Sequence, residues 1–265
     1  MLSKRKNILI NLFLLFILKN KDFINYIKLI NILLIIYPGS YFIKYLNKET
    51  IYWNSITNLF IKNNVKYFNE FQLTNLPKGT IIISNHVNVT DILLIRNKIN
   101  CHIISKSTLI SDEFNGIKII ENEFFKNLNL IPYKRGDKKD GKNVKSKILN
   151  LIKNKKNILV FPEGTSQINC QKNILPFKKG LFHLAYENNI PILPVVIYYT
   201  DKNYGIDINT NFKVFDILNN KSNIYVYFNP IIYPKKYLSV DNLVNNTHKT
   251  MKNIIKNFNH TRPKL

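Results

Sequence analysis

His86 and Asp91 are the residues of this sequence whose types and spacing best suit proton-transfer chemistry; residues 84–91 read SNHVNVTD. The apolar run 80–84 before them predicts a buried strand, and Ile92–Ile95 after them predicts a helix. A histidine at the carboxyl end of a strand lies where α/β sheets place their ligands, and the bend into the helix can return the aspartate to the imidazole. Such a pair can take a proton from a hydroxyl group, because the carboxylate fixes the histidine tautomer and stabilises the imidazolium.

The sequence offers no protein nucleophile beside this histidine. It contains no GxSxG motif, and neither of its two cysteines, Cys101 and Cys170, adjoins His86. The attacking hydroxyl is therefore expected to belong to a substrate. A lone HxxxxD pair also arises by chance, so the interpretation depends on a second element.

The second element is the stretch FPEGTS over residues 161–166. It follows the apolar run 158–160, which predicts another buried strand. Gly164 allows backbone torsions and a close ligand approach that other residues resist. Thr165, Ser166 and nearby main-chain N–H groups could hold a phosphate or glycerol oxygen. By itself, however, the stretch also describes an ordinary turn after a strand.

Strands alternate with helices along the rest of the chain. Apolar runs predict strands over residues 80–84, 102–105, 128–132, 157–161 and 191–199. Helical periodicity covers residues 92–95, 144–152, 177–185 and 243–258. The alternation predicts an α/β domain with a mostly parallel central sheet flanked by helices.

Two apolar runs, residues 8–18 and 23–37, precede this domain. Charged and polar residues 19–22 follow the first run without a small-residue cleavage site, so a cleaved signal peptide is not expected. A helix over the first run reaches about 16 Å, against a hydrocarbon core of about 30 Å. These lengths favour re-entrant or interfacial helices, although the second could form a transmembrane helix by extending to Leu46. We predict a membrane-associated helical segment over 1–46, an amphipathic connecting helix over 47–75 and the α/β domain over 76–265.

The formal net charge of +23 favours an anionic partner: nucleic acid, an anionic membrane or a phosphate-bearing substrate. The basic residues are scattered rather than clustered with aromatic residues, so a nucleic-acid partner is not predicted. No His, Cys or Asp residues show metal-ligand spacing, so no metal is predicted. The sequence gives no sign of an obligate protein partner. The absence of CxxC pairs suits reduced thiols and a domain that faces the cytosol.

Four motifs in order make this sequence resemble the glycerolipid acyltransferase family, the lysophosphatidic acid acyltransferases and their relatives. The first family motif, NHxxxxD, matches Asn85–Asp91, and the third, FPEGT, matches Phe161–Thr165. The fourth, an apolar strand with proline, resembles Ile190–Val195, and the second, an arginine after an apolar strand, resembles Arg135. A family lysine in a short turn after the first motif resembles Lys106.

The resemblance implies a role for each matched residue. His86 would be the general base and Asp91 its partner. The other matches would bind substrate: Glu163, Gly164 and Thr165 the acceptor, Arg135 its phosphate, and Lys106 the oxyanion that forms from the thioester.

The function that the resemblance implies is a membrane-bound O-acyltransferase. It would move a fatty acyl group from acyl-CoA or an acyl carrier protein, with no other cofactor, to the hydroxyl of lysophosphatidic acid, forming phosphatidic acid. Ser166 stands where many lysophosphatidic acid enzymes carry arginine, so glycerol 3-phosphate and other lysophospholipids remain open as acceptors. A catalytically dead membrane-binding relative is the alternative from a different class, although the presence of both His86 and Asp91 disfavours it.

Overall fold

The computed structural model describes residues 65–87, 90–107, 129–166, 174–200 and 223–260. All of them belong to one of the two units into which the chain divides, Glu49–Leu265. The predicted membrane-associated segment 1–46 and residues 47–64 of the predicted connecting helix lie outside the described residues.

Seven strands form one sheet in the described part of the chain. They are β1 (Val65–Phe68), β2 (Ile81–Ser84), β3 (Cys101–Lys106), β4 (Leu130–Tyr133), β5 (Asn157–Val160), β6 (Ile192–Tyr199) and β7 (Ile224–Phe228). Their order in space is β1-β7-β6-β2-β5-β3-β4, and every neighbouring pair is parallel except β6 and β7. The strands β6, β2, β5, β3 and β4 therefore all end at one edge of the sheet, which we call the carboxyl edge. The predicted α/β fold with a mostly parallel central sheet is confirmed.

The central strands are mostly apolar because both of their faces are covered. Every residue of β2 and of β6 is buried, and parallel strands buried on both faces read as continuous apolar runs. The Asn157 side chain aligns β5 beside β2, since its Oδ1 accepts from the N–H groups of Gly79 and Thr80 at 3.1 and 3.0 Å. The start of β2 is thereby tied to its neighbour, which helps to set the height at which β2 ends.

Five α-helices and one 3-10 helix accompany the sheet in the described ranges. They are α1 (Phe71–Thr74), α2 (Thr90–Arg96), α3 (Lys138–Lys153), α4 (Gly180–Glu187), the 3-10 helix Pro234–Lys236 and α5 (Val240–His260). The Asp137 carboxylate caps α3 by accepting two main-chain N–H groups. Helix α5 buries a stripe at every fourth position, made of Leu243, Thr247, Met251 and Ile255. None of these helices is both long enough and apolar enough to cross a bilayer.

Two edge strands correct the predicted organisation. The prediction of an amphipathic helix over 47–75 is wrong for residues 65–68, which form β1 and pair in parallel with β7. The α/β domain therefore begins before position 76, the start that the sequence predicts. Strand β7 was not predicted either. Strand β1 (VKYF) contains a lysine and β7 (IYVYF) alternates aliphatic and aromatic residues, so neither is a continuous aliphatic run such as that in β2.

The predicted helix over 177–185 begins three residues later, at Gly180. Phe177 lies before the helix and packs against Phe182, with 5.9 Å between ring centroids. The helical spacing of apolar residues therefore continues into α4, but Phe177 itself belongs to the segment that precedes the helix.

Candidate active site

His86 and Asp91 meet at the carboxyl edge, directly after β2. Nδ1 of His86 lies 2.9 Å from Oδ2 of Asp91. Asp91 is in the first turn of α2, which follows β2 after a short bend, as the spacing predicts. The carboxylate can only accept, so Nδ1 carries the proton and the neutral ring keeps the lone pair on Nε2. This arrangement leaves Nε2 able to take a proton from a substrate hydroxyl.

The Asp91 carboxylate is fully buried, and a main-chain N–H group and a tyrosine hydroxyl hold it in addition to His86. Oδ2 also accepts the N–H of Val87 at 2.6 Å, and Oδ1 accepts the Tyr199 hydroxyl at 2.5 Å. The Tyr199 oxygen lies 3.2 Å from Oγ1 of Thr90. Asp91 is thus fixed before any substrate arrives, and it fixes the ring of His86 in turn.

Asn85 anchors the turn that carries His86 to the neighbouring strand β6. Its Nδ2 donates to the carbonyl oxygen of Ile197 and its Oδ1 accepts the N–H of Ile197, both at 2.8 Å. Strand β6 extends four residues past Val195, the partner of the last residue of β2. This overhang places Tyr199 beside the bend, where its hydroxyl reaches Asp91.

Glu163 anchors the same turn from the other side, through β5. Oε1 of Glu163 accepts the main-chain N–H of His86 at 3.0 Å, and Oε2 accepts the N–H of Leu175 at 2.8 Å. Burial raises the pKa of Glu163 from its ordinary 4.5 to about 7, although the two N–H groups lower it. Both carboxylate oxygens are occupied by the protein main chain, so the geometry gives Glu163 a positioning role at His86. Contact with the acceptor stays a prediction for this residue.

Phe161 packs on the imidazole of His86. The ring centroids are 4.1 Å apart and the planes are inclined by 20°. The His86 side chain is 18% exposed. One face of the ring is therefore covered by apolar surface, while a small part of the ring stays open to a substrate.

Gly164 gives the turn after β5 its close contact with a cation. Its φ is +74°, in the left-handed region, and a Cβ at this position would lie 2.5 Å from Nζ and 2.7 Å from Cε of Lys178. The N–H of Lys178 donates to the Pro162 carbonyl at 2.9 Å, which fixes the lysine main chain to this turn. Thr165 is exposed beside it. The turn at the carboxyl edge therefore has the Lys178 ammonium group beside Gly164, and the exposed Thr165 is the next residue in the chain.

The structure separates Lys178 from its neighbour Lys179, which the sequence leaves equivalent. Nζ of Lys179 pairs with Oδ1 of Asp241 on α5 at 2.6 Å. That ion pair is exposed on both sides. Of these two lysines, only Lys178 is directed to the turn that follows β5.

Lys106 and Arg135 lie on the carboxyl edge but farther along the sheet. Lys106 ends β3 and Arg135 follows β4, and both side chains are exposed. The strand order places β3 two and β4 three positions from β2, or about 10 and 14 Å at the usual strand spacing. The sheet aligns them with the site without bringing either against His86. Their roles at the oxyanion and at the phosphate remain predictions.

Tyr199 is the site residue that sequence reasoning missed. The apolar run 191–199 predicted its strand, and a tyrosine at the end of such a run is most simply interpreted as core. What identifies it is the position of β6 beside β2, which a single sequence does not contain. Its polar hydroxyl at full burial is the one signal that could have marked it, because buried tyrosines usually have a partner.

Cys101 supports the view that the attacking group comes from a substrate. The thiol is buried in β3, and burial raises its pKa to about 12. A protonated, buried thiol is a poor nucleophile. Within the described ranges, no group of three His, Cys, Asp or Glu residues could hold a metal ion.

Three comparisons relate this chain to known proteins. Residues 68–198 match the model of the family described as Acyltransferase. The chain is 34% identical over 148 residues to the 1-acyl-sn-glycerol-3-phosphate acyltransferase of Saccharomyces cerevisiae, covering 55% of this chain and 46% of that protein. It is 26% identical over 163 residues to the 1-acyl-sn-glycerol-3-phosphate acyltransferase of Borreliella burgdorferi, covering 60% of this chain and 58% of that protein. The chain thus spans about half the length of the curated relatives it matches.

The fold is also that of a solved structure. The crystal structure of the 1-acyl-sn-glycerophosphate (LPA) acyltransferase PlsC from Thermotoga maritima matches with a TM-score of 0.65 and 20% sequence identity. The match covers 97% of this chain and 98% of that one. At this identity the likeness concerns the fold alone.

Proposed function

We propose that this chain, whose residues 68–198 belong to the Acyltransferase family, is a membrane-bound O-acyltransferase that acts on lysophosphatidic acid. It transfers a fatty acyl group from an acyl thioester to the free hydroxyl and forms phosphatidic acid. The observation that carries the proposal is the His86–Asp91 pair, whose Nδ1 contact leaves Nε2 available beside the FPEGT turn.

The reaction follows from the chemistry of that pair. Nε2 of His86 takes the proton of the acceptor hydroxyl as its oxygen attacks the thioester carbonyl carbon. Asp91 stabilises the imidazolium that results. When the tetrahedral intermediate collapses, the carbon–sulfur bond breaks and the imidazolium returns its proton to the departing thiolate. The products are the ester and a free thiol, so the base is regenerated in each cycle.

A phosphate on the acceptor suits the cations of the carboxyl edge. The Lys178 ammonium contacts Gly164 in the turn after β5, the strand next to the one that carries His86. Arg135 and Lys106 continue the positive charge along the edge. Ammonium and guanidinium groups bind phosphate oxygens with charge-assisted hydrogen bonds. The names of two relatives, both 1-acyl-sn-glycerol-3-phosphate acyltransferases, point to the same acceptor class.

The same chemistry on glycerol 3-phosphate or another lysophospholipid is the second candidate. Ser166 is partly exposed at the end of the FPEGT turn, where its hydroxyl offers less to a phosphate than an arginine would. Glycerol 3-phosphate shares the phosphate but lacks the acyl chain. Lysophosphatidylcholine shares the chain but carries a compensating positive charge. Comparing the three acceptors separates recognition of the phosphate from recognition of the chain.

The test uses the full chain in mild detergent, supplied in turn with acyl-CoA or acyl carrier protein and with each acceptor. Thiol release is followed with a chromogenic reagent for the wild type and for His86→Ala. His183→Ala, at an exposed position of α4, is the matched histidine control. Release that requires lysophosphatidic acid and is lost only in His86→Ala supports the proposal. Release with another acceptor rejects the substrate, and no release above the His86→Ala background with any pair supports a non-catalytic relative.

The membrane-bound part of the proposal rests on the apolar runs 8–18 and 23–37 and on the net charge of +23. Anionic lipid attracts basic residues near its surface, and apolar helices bury themselves at the interface. A catalytic domain on the cytosolic side would meet acyl thioesters there. Extraction of membranes with alkaline carbonate should leave the protein in the pellet. Its release into the supernatant would reject attachment through these runs.

A further inference from the structure

One peptide group links the last helix of the domain to the carboxylate behind the catalytic histidine. Its N–H, from Leu175, donates to Oε2 of Glu163 at 2.8 Å. Its carbonyl oxygen, from Ile174, lies 3.1 Å from Nε2 of His248 on α5. Because a carbonyl oxygen only accepts, Nε2 of His248 carries the proton in this contact. The two hydrogen bonds therefore run in one direction through the peptide, from His248 to Glu163.

We propose that His248 is a positioning residue for the proposed acyl transfer, acting on His86 through the 174–175 peptide and Glu163. The proposal rests on the function proposed above. His248 donates to the Ile174 carbonyl, the Leu175 N–H donates to Glu163, and Glu163 accepts the His86 N–H at 3.0 Å. Each hydrogen bond in such a chain polarises the next in a low-dielectric interior. Loss of the His248 donor therefore weakens the hydrogen bond by which Glu163 fixes the main-chain N–H of His86.

The His248 ring is held in the orientation that this contact needs. The Phe177 ring meets it edge to face, with centroids 4.9 Å apart and planes at 84°. Phe177 is itself buried, and so are Thr247 and Met251 on the same helix. The helix backbone is therefore fixed in the core while the partly exposed ring of His248 reaches out to the peptide.

The segment that receives this contact has no regular secondary structure of its own. Residues 174–178 lie between the FPEGT turn and α4 without belonging to a helix or strand. Two contacts fix its ends against the rest of the site. They are the bond of His248 to Ile174 and the bond of the Lys178 N–H to Pro162. The placement of the Leu175 N–H under Glu163 thus depends on contacts such as that of His248.

The alternative is that His248 only adds stability by joining α5 to this segment. The two roles predict different effects on kcat when substitutions of His248 and Glu163 are combined. A positioning role through Glu163 makes the two substitutions non-additive in kcat, whereas an independent stabilising contact makes them additive. Coupling between them is therefore the decisive quantity.

The experiment measures kcat and KM by thiol release for the full chain in mild detergent, in four variants. His248→Phe keeps the ring volume without a donor, and its kcat should fall about fivefold to tenfold at an unchanged KM. His248→Gln places an amide N–H near the position of Nε2 and should restore most of that loss. In Glu163→Gln, adding His248→Phe should lower kcat no further. Multiplicative losses in the double variant, or a His248→Gln as slow as His248→Phe, would overturn the proposal.

Thr247→Val is the matched structural control. It removes a buried hydrogen bond from the same helix, from Oγ1 to the Leu243 carbonyl at 2.7 Å, but touches neither Ile174 nor Glu163. Its melting temperature should fall while its kcat stays at the wild-type value. If Thr247→Val lowers kcat as much as His248→Phe does, destabilisation of α5 accounts for both and the proposal is rejected.

Hydrogen exchange separates this proposal from the proposed function, because it needs no substrate. Mass spectrometry of peptides that contain Leu175 should show faster exchange in His248→Phe and wild-type exchange in Thr247→Val. If the wild type turns over no acceptor, the acyl-transfer function fails and this measurement alone still tests the link to Glu163. Unchanged exchange at Leu175 in His248→Phe would show that the contact does not hold the peptide, whatever the enzyme does.

Discussion

Tyr199 donates a 2.5 Å hydrogen bond to Oδ1 of Asp91, across a sequence separation of 108 residues. The other oxygen of Asp91 meets Nδ1 of His86 at 2.9 Å. The aspartate is therefore divided between the histidine, which follows β2, and the tyrosine, which ends β6. This arrangement makes the geometry of His86 and Asp91 depend on the pairing of two strands that lie far apart in the chain.

Tyr199→Phe should lower kcat about tenfold or more, because a hydrogen bond to a charged group contributes about 1.5–3 kcal/mol and each 1.4 kcal/mol is tenfold in rate. Kinetics of thiol release would measure the change. Tyr198→Phe is the matched control, since the neighbouring hydroxyl donates instead to Asn259 Oδ1 at 2.9 Å. Both variants should melt at a lower temperature, and only Tyr199→Phe should lose activity. Equal kcat values for the two would refute a role for the Tyr199 hydroxyl.

Glu163 should make stability fall as pH rises through a defined window. Its pKa is about 7 in the folded chain against an ordinary 4.5, so between these values the folded state holds a proton that the unfolded state has lost. The contribution of Glu163 is therefore fully present below about pH 4.5 and is lost by about pH 7. At about 1.4 kcal/mol per pKa unit, it amounts to up to about 3 kcal/mol.

The measurement is denaturant unfolding of the wild type and of Glu163→Gln at pH 5 and pH 8. The wild type should lose more free energy of unfolding between the two pH values than the variant, which has no charge to bury. Other groups titrate in both proteins alike, so the difference between the two slopes reports Glu163. Identical slopes would mean that the carboxyl ionises in the folded chain as it does in water.

Lys178→Met should raise the KM for lysophosphatidic acid about tenfold or more, since charge-assisted contacts contribute about 1.5–3 kcal/mol. Lys179→Met removes the same charge one residue away, where it is paired with Asp241, and should leave that KM unchanged. The KM for the acyl donor should stay constant in both. A similar rise in both variants would indicate a general effect of surface charge and not a contact at the turn.

Gly164→Ala should impair acceptor binding in addition to the loss of stability that its backbone strain causes. Gly164 and Gly136 both have positive φ, +74° and +82°, so alanine costs each about 1–2 kcal/mol of stability. Nothing lies within 4 Å of a Cβ at Gly136, whereas a Cβ at Gly164 meets the Lys178 side chain. Denaturant unfolding of Gly164→Ala and Gly136→Ala should show a lower free energy of unfolding in both variants because of this strain.

Acceptor kinetics would isolate the remaining effect of Gly164→Ala. The KM for lysophosphatidic acid should rise in Gly164→Ala because Lys178 is displaced. In Lys178→Met the same alanine should raise it no further, because the displaced group is already gone. A further rise in the double variant would show that the alanine disturbs the acceptor site by another route.

The sequence was sufficient to predict the central part of the fold and the contact between His86 and Asp91. Strands β2 to β6 are apolar runs bounded by turn residues, and His86 and Asp91 are five positions apart in a strand-to-helix bend. Both signals are local. A bend of that length brings its own ends together whatever the rest of the chain does.

The contacts that complete the site come from strand order, which is not local. Tyr199 reaches Asp91 because β6 lies beside β2, and Glu163 reaches the His86 N–H because β5 lies on the other side. The sequence identifies the FPEGT turn, but it does not show that Glu163 accepts the main-chain N–H groups of His86 and Leu175. The strands β1 and β7 were missed for a related reason, since β7 is identified by its pairing with β6 and β1 by its pairing with β7.

The reversal of direction at β6 and β7 has a consequence for how substrate preference can change. Strands β7 and β1 end at the opposite side of the sheet from His86, so the residues that directly follow these two strands begin away from that histidine. The segments after β3, β4 and β5 all begin on the catalytic side. For the proposed acyl transfer, substitutions in the segments after β3, β4 and β5 are therefore expected to change the choice of acceptor or acyl chain more than substitutions directly after β1 or β7.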